Sequence, residues 1–285
     1  MVRMDAHHHL WDPARAHYPW MPTDGPLRRV HLLGELERMR ADTGVERTVV
    51  VQAAPALEES VFLMELALRE ARISGVVGWV ELDRPTDAVA VDLDALGHLG
   101  PLVGVRPMLQ DVADPDWLAR PHVQAALALL ARRGLVLDLL CREEQLPRAA
   151  RALVAHPDLR VCVDHLAKPD YARVSTRWLE SLRLVAQRPY AYCKVSGLVT
   201  EVAPGASADA FRAHVAAAAE TFGPSNLIYG SDWPVCQLAA EPGAVRDLAD
   251  ELTAAFGPAE RERFWWLAAH ECYRLSHDQR PIGRP

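Results

Sequence analysis

Eight short runs of β-branched and other apolar residues alternate along the chain with longer segments rich in alanine and leucine. Most of the short runs are almost continuously apolar, which is typical of parallel strands buried on both faces. Strands that alternate with helices pair in parallel through right-handed crossovers, and eight such units predict a closed (β/α)8 barrel of the TIM type. The predicted strands are residues 2–9, 47–53, 76–82, 103–107, 135–140, 160–165, 191–196 and 227–232.

Helical patterns lie between these strands, and several of them end at residues that stop helices. Gly134 follows one pattern and Gly223-Pro224 follows another, as glycine and proline do at helix ends. An open doubly wound sheet is the alternative architecture, but no GxGxxG motif follows the first strand. We therefore expect one barrel domain over residues 1–285, with a frayed tail at 277–285. The predicted helices are residues 58–72, 121–133, 145–155, 208–222, 244–256 and 259–275.

The composition argues against several classes of protein. A formal net charge of −7 without any basic stripe argues against nucleic-acid binding. No apolar stretch approaches the ~20 residues of a membrane span, and no apolar core of a signal peptide is visible. Five dispersed cysteines without a CxxC pair indicate reduced thiols. We expect a cytoplasmic protein that binds a small molecule, and the sequence leaves its oligomeric state open.

The end of the first predicted strand carries a pair of histidines. In barrels of this type the functional site forms at the carboxyl ends of the strands. Side chains alternate along a strand, so Asp5, His7 and His9 are expected on one face. Two imidazoles at i and i+2 can hold a metal ion or orient a water molecule. The alternative is a structural histidine packed in the core, and the position at a strand end favours the functional interpretation.

Two further strands also end in titratable residues. His165 closes strand six, and Asp232 closes strand eight after Gly230, which leaves space beside the carboxylate. A carboxylate at the end of an apolar strand needs a partner, because a buried unpaired charge is costly. Histidines across the barrel, or a metal that they hold, would supply that partner. The alternative is that Asp232 caps the following loop.

Three polar residues on other strands are candidates for substrate contacts. Arg106 ends strand four, and Lys194 lies inside strand seven, where a hydrated ammonium is hard to explain as structure. Both are expected to bind an anion or a carbonyl group, unless they form ion pairs with an internal carboxylate such as Asp138 or Glu81. Gln52 ends strand two and is expected to bind substrate hydroxyls, unless its amide satisfies the backbone.

Some motifs are absent, and their absence narrows the chemistry. No serine lies in a GxSxG elbow, which weakens the α/β-hydrolase interpretation, and no P-loop is present. Strand five ends in Asp138-Leu139-Leu140 rather than in a histidine. Strand four ends in Arg106 rather than in a lysine that could bridge two metal ions.

Taken together, the HxH pair, the strand-six histidine and the strand-eight aspartate resemble the signature of the amidohydrolase superfamily. Within it, the chain resembles the group of fuconolactonases, rhamnonolactonases and pyrone-dicarboxylate lactonases (amidohydrolase-related family 2). The resemblance spans almost the whole chain in the right order. It rests on DAHHHLWDP at the start, VVVQAAP at 49–55, GVVGWVELD at 75–83, GVRPMLQD at 104–111, VDHLAKP at 163–169, YCKVSGL at 192–198 and YGSDWPV at 229–235.

The resemblance implies a lactonase that opens the ring of a small sugar-acid lactone. It implies Asp232 as general base, Lys194 near the scissile carbonyl and Arg106 in contact with substrate. Metal binding is expected from His7, His9, His165 and Asp232, and His165 also counts as a catalytic residue. The missing bridging lysine and strand-five histidine imply a mononuclear zinc site, or a site that works without metal.

The expected reaction is attack of water on the lactone carbonyl. Asp232 would take the proton from water and return it to the departing oxygen. A bound Zn²⁺ would make hydroxide available; without metal, the histidines would orient the water, and Lys194 with Arg106 would stabilise the oxyanion. Trp11, Trp20 and Trp233 lie on strand-end loops and either pack on a sugar ring or pack only within those loops.

Two other functions stay open at the sequence level. A barrel of this kind with the same site could decarboxylate an aromatic acid or carry out another hydrolysis. A catalytically silent barrel that binds a sugar acid is the more remote alternative, since it would not need so many titratable groups on its strand ends. The loops that set specificity do not reveal which lactone is bound.

Overall fold

The computed structural model describes residues 2–275 and confirms the predicted (β/α)8 barrel. Within these residues, eight parallel strands follow one another in the order β1 to β8. Backbone bonds from His9 N to Trp233 O (2.7 Å) and from Asp232 N to His7 O (2.8 Å) join the last strand to the first. The strands are β1 Met4–His8, β2 Arg47–Val51, β3 Ile73–Gly78, β4 Leu102–Val105, β5 Val136–Leu139, β6 Arg160–Val163, β7 Ala191–Val195 and β8 Leu227–Tyr229. The tail predicted at 277–285 lies outside the described residues.

Helices surround the barrel, and the predicted ones are present with shifted ends. They are α1 Leu33–Thr43, α2 Leu57–Arg69, α3 Thr86–Leu99, α4 Pro121–Arg133, α5 Leu146–Leu153, α6 Thr176–Ala186, α7 Asp209–Phe222, α8 Pro242–Leu252, α9 Pro258–Glu262 and α10 Ala268–Tyr273. The helix predicted at 259–275 is interrupted by a π-helical turn over Arg263–Leu267. Three helices, α1, α3 and α6, are not among those predicted from the sequence. Among the described residues, no helix is long and apolar enough to cross a membrane.

Several strands end earlier than predicted. His7 and Lys194 lie within their strands, and the other candidate residues lie just beyond the sheet: His9, Gln52, Arg106, His165 and Asp232. The largest shift is in β3, which was expected at 76–82. Its ladder ends where Arg106 N donates to Gly78 O (2.9 Å), and the next amide, that of Trp79, donates to the Ser60 hydroxyl of α2 instead (2.7 Å). Val80 and Leu82, which follow Gly78, are buried, but they leave the sheet and pack as a loop.

A bulge in β1 breaks the alternation on which the sequence analysis relied. The pairing of β1 with β2 shifts register between Asp5 and His8. Met4 and Ala6 join the apolar cluster at the amino end of the barrel, which α10 covers. Asp5 is directed away from the site: it accepts bonds from the Ser231 amide (2.9 Å) and hydroxyl (2.5 Å). The expectation that Asp5 shares a face with His7 and His9 is therefore wrong, because a bulge re-aims the side chains that follow it.

Candidate active site

The bulge and one glycine make room for His7 in the barrel interior. A methyl group on Gly230 would lie 2.5 Å from His7 Cβ and 3.0 Å from Ser196 Cβ, so no larger residue fits there. The space that the sequence analysis expected beside Asp232 is in fact occupied by the first histidine of the HxH pair. Strand eight thus contributes a glycine that admits His7 and, two residues later, a carboxylate that faces it.

His9 and His7 converge on the carboxylate of Asp232. His9 Nδ1 is 2.8 Å from Val51 O, and a carbonyl oxygen only accepts, so this nitrogen carries a proton. His9 Nε2 lies 3.2 Å from Asp232 Oδ1, and His7 Nε2 lies 3.7 Å from the same oxygen. Two imidazole nitrogens and a carboxylate oxygen directed at one another form a donor set that suits Zn²⁺.

Charge in this cluster is concentrated on the carboxylate. Burial alone would raise the pKa of Asp232, but the nearby rings of His165 and His9 outweigh it and hold that pKa below its ordinary range. Burial lowers the pKa of His7 well below its ordinary value, and the Lys194 ammonium lowers it further. At neutral pH the site therefore presents an ionised carboxylate to a neutral His7.

His165 is held in place by an unusual stretch of backbone. Four consecutive non-glycine residues, His165 to Lys168, have left-handed φ angles, from 47° to 60°, a conformation that is strained and often found at functional sites. The His165 ring contacts the Ser196 hydroxyl through Nδ1 (2.8 Å) and lies 4.5 Å from the His7 ring between centroids. A methyl group on Gly197 would lie 2.5 Å from His165 Nδ1. Burial lowers the pKa of His165 to about 4.

Lys194 lies beneath the histidines and forms the internal ion pair that the sequence analysis weighed as an alternative. Its ammonium is 2.5 Å from Asp138 Oδ2 and 2.9 Å from Asp164 Oδ1, and all three side chains are fully buried. Nζ is also 3.1 Å from His7 Nδ1. Burial opposes its charge, but the two carboxylates outweigh that effect and raise the pKa of Lys194. Burial raises the pKa of Asp138 to about 6.

Arg106 and Gln52 hold one another across the end of β3. The Gln52 amide donates to Arg106 O (2.8 Å), and the Arg106 guanidinium donates to Gln52 O. The other guanidinium nitrogen lies 3.2 Å from His7 Nε2 and 3.5 Å from Asp164 Oδ2. Within the described chain, Arg106 Nε and Gln52 Oε1 are buried without a hydrogen-bond partner. The side-chain nitrogen of Gln52 is thus used in a backbone hydrogen bond, and its side-chain oxygen is left as an unused acceptor.

The three loop tryptophans make contacts within the protein. The Trp233 side chain is only 3% exposed, and its ring lies 5.5 Å from that of His31. Trp11 donates to Leu27 O (3.1 Å), and Trp20 donates to Ala53 O (2.6 Å). These contacts favour the loop-packing alternative, and the contact of Trp233 with substrate stays a prediction.

Asp164 and Glu59 are buried near the site but are not among the residues predicted from the sequence. Burial alone would raise the pKa of Asp164, but Lys194 and His7 hold it well below its ordinary range. The sequence does carry a signal for Asp164, because an acidic residue directly follows the apolar run in VCVD. Glu59 of α2 accepts from the amides of Ala53 (2.8 Å) and Ala54 (2.6 Å), and burial raises its pKa to about 7. It fixes the loop beyond β2.

Two overlapping groups of side chains in the described residues have the spacing of a metal site. One consists of His7, His9 and Asp232, and the other of His7, Asp164 and His165, with ligand atoms within 4.8 Å of each other in each group. The second group already has a cation, since the Lys194 ammonium lies against both His7 and Asp164. In the first group, the Arg106 guanidinium lies 3.2 Å from His7 Nε2.

A family model described as amidohydrolase matches residues 4–275. The chain belongs to the amidohydrolase family. This confirms the resemblance drawn from the motifs. Two curated relatives are L-fucono-1,5-lactonases. The one from Burkholderia ambifaria is 37% identical over 99% of this chain and 97% of its own length, and the one from Burkholderia multivorans is 36% identical over 96% of each.

Solved structures agree with the family and extend the fold comparison. An amidohydrolase from Burkholderia multivorans with bound zinc has a TM-score of 0.88 and 35% identity, covering 97% of this chain and all of its own. A 2,6-dihydroxybenzoate decarboxylase, at 12% identity and a TM-score of 0.69 over 96% of this chain and all of its own, shares the fold alone.

Proposed function

We propose that this amidohydrolase opens the ring of a small sugar-acid lactone by hydrolysis. The observation that carries the proposal is the convergence of His7 and His9 on Asp232, in a chain about as long as, and 36–37% identical to, two L-fucono-1,5-lactonases. The two unused polar atoms of Gln52 and Arg106 add a hydrogen-bond acceptor and a donor for a substrate rich in hydroxyl groups.

Asp232 is the proposed general base. Its carboxylate takes a proton from water as the water oxygen bonds to the lactone carbonyl carbon, and later gives that proton to the ring oxygen as the carbon–oxygen bond breaks. Arg106 is the proposed donor to the carbonyl oxygen, which becomes negative in the transition state. His165, neutral because of its lowered pKa and fixed by Ser196, is proposed to orient the water.

We propose one divalent metal ion, zinc, held by His7, His9 and Asp232, with His165 beside it. The ion would supply Lewis-acid polarisation of the carbonyl and lower the pKa of a water molecule. The imidazole nitrogens that face Asp232 support this assignment, and the Lys194 ammonium within the neighbouring group supports a single ion rather than two. Lys194 is then proposed to act from below, through Asp164 and His7, rather than by touching the scissile carbonyl.

The test is a panel of aldonolactones, including fucono-, rhamnono- and galactono-lactones, together with pyrone-dicarboxylate, followed by acid release above the spontaneous rate. Asp232→Asn should reduce kcat by about 10²–10⁴-fold with the fold intact. Asp247→Asn, which changes an exposed carboxylate, should leave kcat unchanged. Absence of turnover on every lactone with zinc restored, or release of CO₂ instead of a ring-opened acid, would refute the proposal.

The chelator arm of the same panel tests the metal. Loss of activity with a chelator and its return with Zn²⁺ would support the zinc proposal, and full activity without metal would leave His7 and His9 as water-orienting groups only. The five free and buried cysteines support the further proposal that the enzyme works in the reducing cytoplasm.

A further inference from the structure

A turn of left-handed helix follows β6 and carries His165 at its start. Its four residues, His165 to Lys168, all have positive φ angles, and the Lys168 amide closes the turn by donating to His165 O at 2.8 Å. None of the four is glycine, and the left-handed conformation is unfavourable for residues that have a Cβ atom. Contacts with the rest of the barrel must therefore hold the turn in place.

This backbone decides where the His165 ring lies. With a φ of 53°, the ring contacts the Ser196 hydroxyl through Nδ1 (2.8 Å) and lies 4.5 Å from the His7 ring between centroids. A change of φ to the ordinary negative value would rotate the Cα–Cβ bond about the N–Cα axis and carry the ring away from both neighbours. The geometry of the site thus depends on the contacts that keep the turn left-handed.

Two side chains from other elements bind the turn. The fully buried Trp178 of α6 donates its indole N–H to Leu166 O at 2.8 Å. That carbonyl belongs to the peptide plane between Leu166 and Ala167, so the bond fixes the orientation of this plane in the middle of the turn. At the end of the turn, the Lys168 ammonium lies 2.9 Å from Glu201 Oε1 in the loop after β7, and both side chains are partly exposed.

We infer that Trp178 is a positioning residue that holds the left-handed turn and thereby keeps the His165 ring beside His7. Both the backbone and the ring of Trp178 are themselves held. Its amide donates to the Ser175 hydroxyl that caps α6 (3.1 Å), and its ring packs edge-on against His214 at 5.3 Å between centroids. The indole N–H therefore has a fixed position from which it can hold the turn.

The two contacts with the turn differ in strength because they differ in burial. Loss of the indole N–H would leave the buried Leu166 carbonyl without that partner, which is costly inside a protein, so the turn should relax toward ordinary φ angles. The Glu201 ion pair is partly exposed, and water and salt screen such pairs. Trp178 is therefore the main anchor of the turn. This inference rests on the proposed function only for its effect on turnover.

The position of the His165 ring is measured by NMR on metal-free protein with labelled histidine. Because the His7 ring lies 4.5 Å away, ring currents make the shifts of the carbon-bound protons of His165 sensitive to small movements. These signals are assigned as the ones lost in His165→Gln. Trp178→Phe keeps an aromatic ring but removes the N–H donor, and it should shift or broaden them.

Trp265→Phe is the matched control. Trp265 is also fully buried, and its indole N–H has no hydrogen-bond partner within the described part of the chain, so the variant makes the same change in size without the loss of a bond. It should leave the His165 signals and kcat unchanged. On a lactone that the wild type hydrolyses, Trp178→Phe should lower kcat about 10–100-fold, as loss of a group that orients a ligand does, with little change in KM.

Glu201→Gln is the second variant, because it weakens the turn from the surface without altering the core. It should move the His165 signals less than Trp178→Phe does. Unchanged His165 signals in Trp178→Phe overturn the inference, as do equal shifts in Trp265→Phe. If Trp178→Phe does not fold, Glu201→Gln decides: shifted signals support the inference and unchanged signals overturn it.

The NMR result does not depend on turnover, so failure of the lactonase proposal is seen separately. His165 signals that move in Trp178→Phe while kcat stays constant would support the inference and contradict the role of His165 in the proposed reaction.

Discussion

The variant Lys194→Met tests whether the Lys194 ammonium stabilises the two buried carboxylates of Asp138 and Asp164. Methionine is unbranched and only one heavy atom shorter than lysine, but it leaves Asp138 and Asp164 without their common cation, and none of the three side chains is exposed. Removing one partner of a buried ion pair costs about 3–5 kcal/mol. An unfolding entropy of about 2.1 cal/mol/K per residue amounts to roughly 0.6 kcal/mol/K for 285 residues, so Tm should fall by roughly 5–8 °C at pH 8.

The loss of stability in Lys194→Met should become smaller as the pH falls. This pH dependence distinguishes an electrostatic effect of the ammonium from an effect of side-chain packing. Burial already raises the pKa of Asp138 to about 6 in the presence of Lys194, and without the ammonium it should rise further. A carboxyl whose pKa is higher in the folded state gains protons on folding, so acid favours the folded variant over the range between the two values. The difference in Tm between wild type and Lys194→Met should therefore be smaller at pH 6 than at pH 8.

The double variant Lys194→Met with Asp138→Asn provides the control, because it removes one of the two orphaned charges. Its free energy of unfolding should exceed that of Lys194→Met by at least about 1–2 kcal/mol, roughly the cost of one unsatisfied buried group. Thermal and urea unfolding, followed by circular dichroism at both pH values, measure these differences. A loss below about 1 kcal/mol, or a penalty that does not change between pH 8 and pH 6, would refute the argument that Lys194 compensates both carboxylates.

Three further predictions concern the site. Gly197→Ala should reduce kcat more than tenfold by displacing His165, whereas Gly205→Ala, with a similar positive φ but nothing within 4 Å, should affect stability only; equal activity in the two variants would contradict this. Burial lowers the pKa of His8 to about 3 and that of His165 to about 4, so the folded state resists protonation below the ordinary value of 6.5. Each histidine should lower the free energy of unfolding by up to about 1.4 kcal/mol per pH unit as the pH falls below 6.5. Urea-unfolding midpoints at pH 7, 6 and 5 would detect or exclude this loss. Zn²⁺ at about 100 times its Kd should stabilise the wild type by about 2.7 kcal/mol, or roughly 4–5 °C in Tm, and should not stabilise His9→Ala; an equal shift in both would place the metal elsewhere.

The sequence predicts the fold well because the signal repeats eight times. Each strand is a buried apolar run, and an error of two or three residues at one end does not alter the count or the order of the strands. α1 is not predicted because its sequence, LGELERMRADT, is mostly polar, and its apolar contacts to the core come mainly from Leu33, Leu36 and Met39. The local signal of such a helix is weak, although the barrel requires it.

The candidate site is less predictable, since it depends on contacts between distant strands. The HxH pair and the two strand-end residues are visible in the sequence because each combines an apolar run with a titratable group. The bulge between Asp5 and His8 is not visible, because register depends on the neighbouring strand. Whether Lys194 would meet substrate or a carboxylate depended on where Asp138 and Asp164 lie around the barrel, which no pattern along one strand reveals.

The hydrogen bonds between Gln52 and Arg106 affect how the substrate specificity of such an enzyme can change. The two residues are joined across the end of β3 by bonds to each other's backbone. The position of Arg106 is thereby set by β2 and β4 and not by the loop after β3. Val80 and Leu82 are buried in the core, whereas residues 83–85 are partly or fully exposed. Residues 83–85 can therefore change while the guanidinium keeps its position beside His7, so selection or a library can vary this part of the loop without disturbing the proposed catalytic groups.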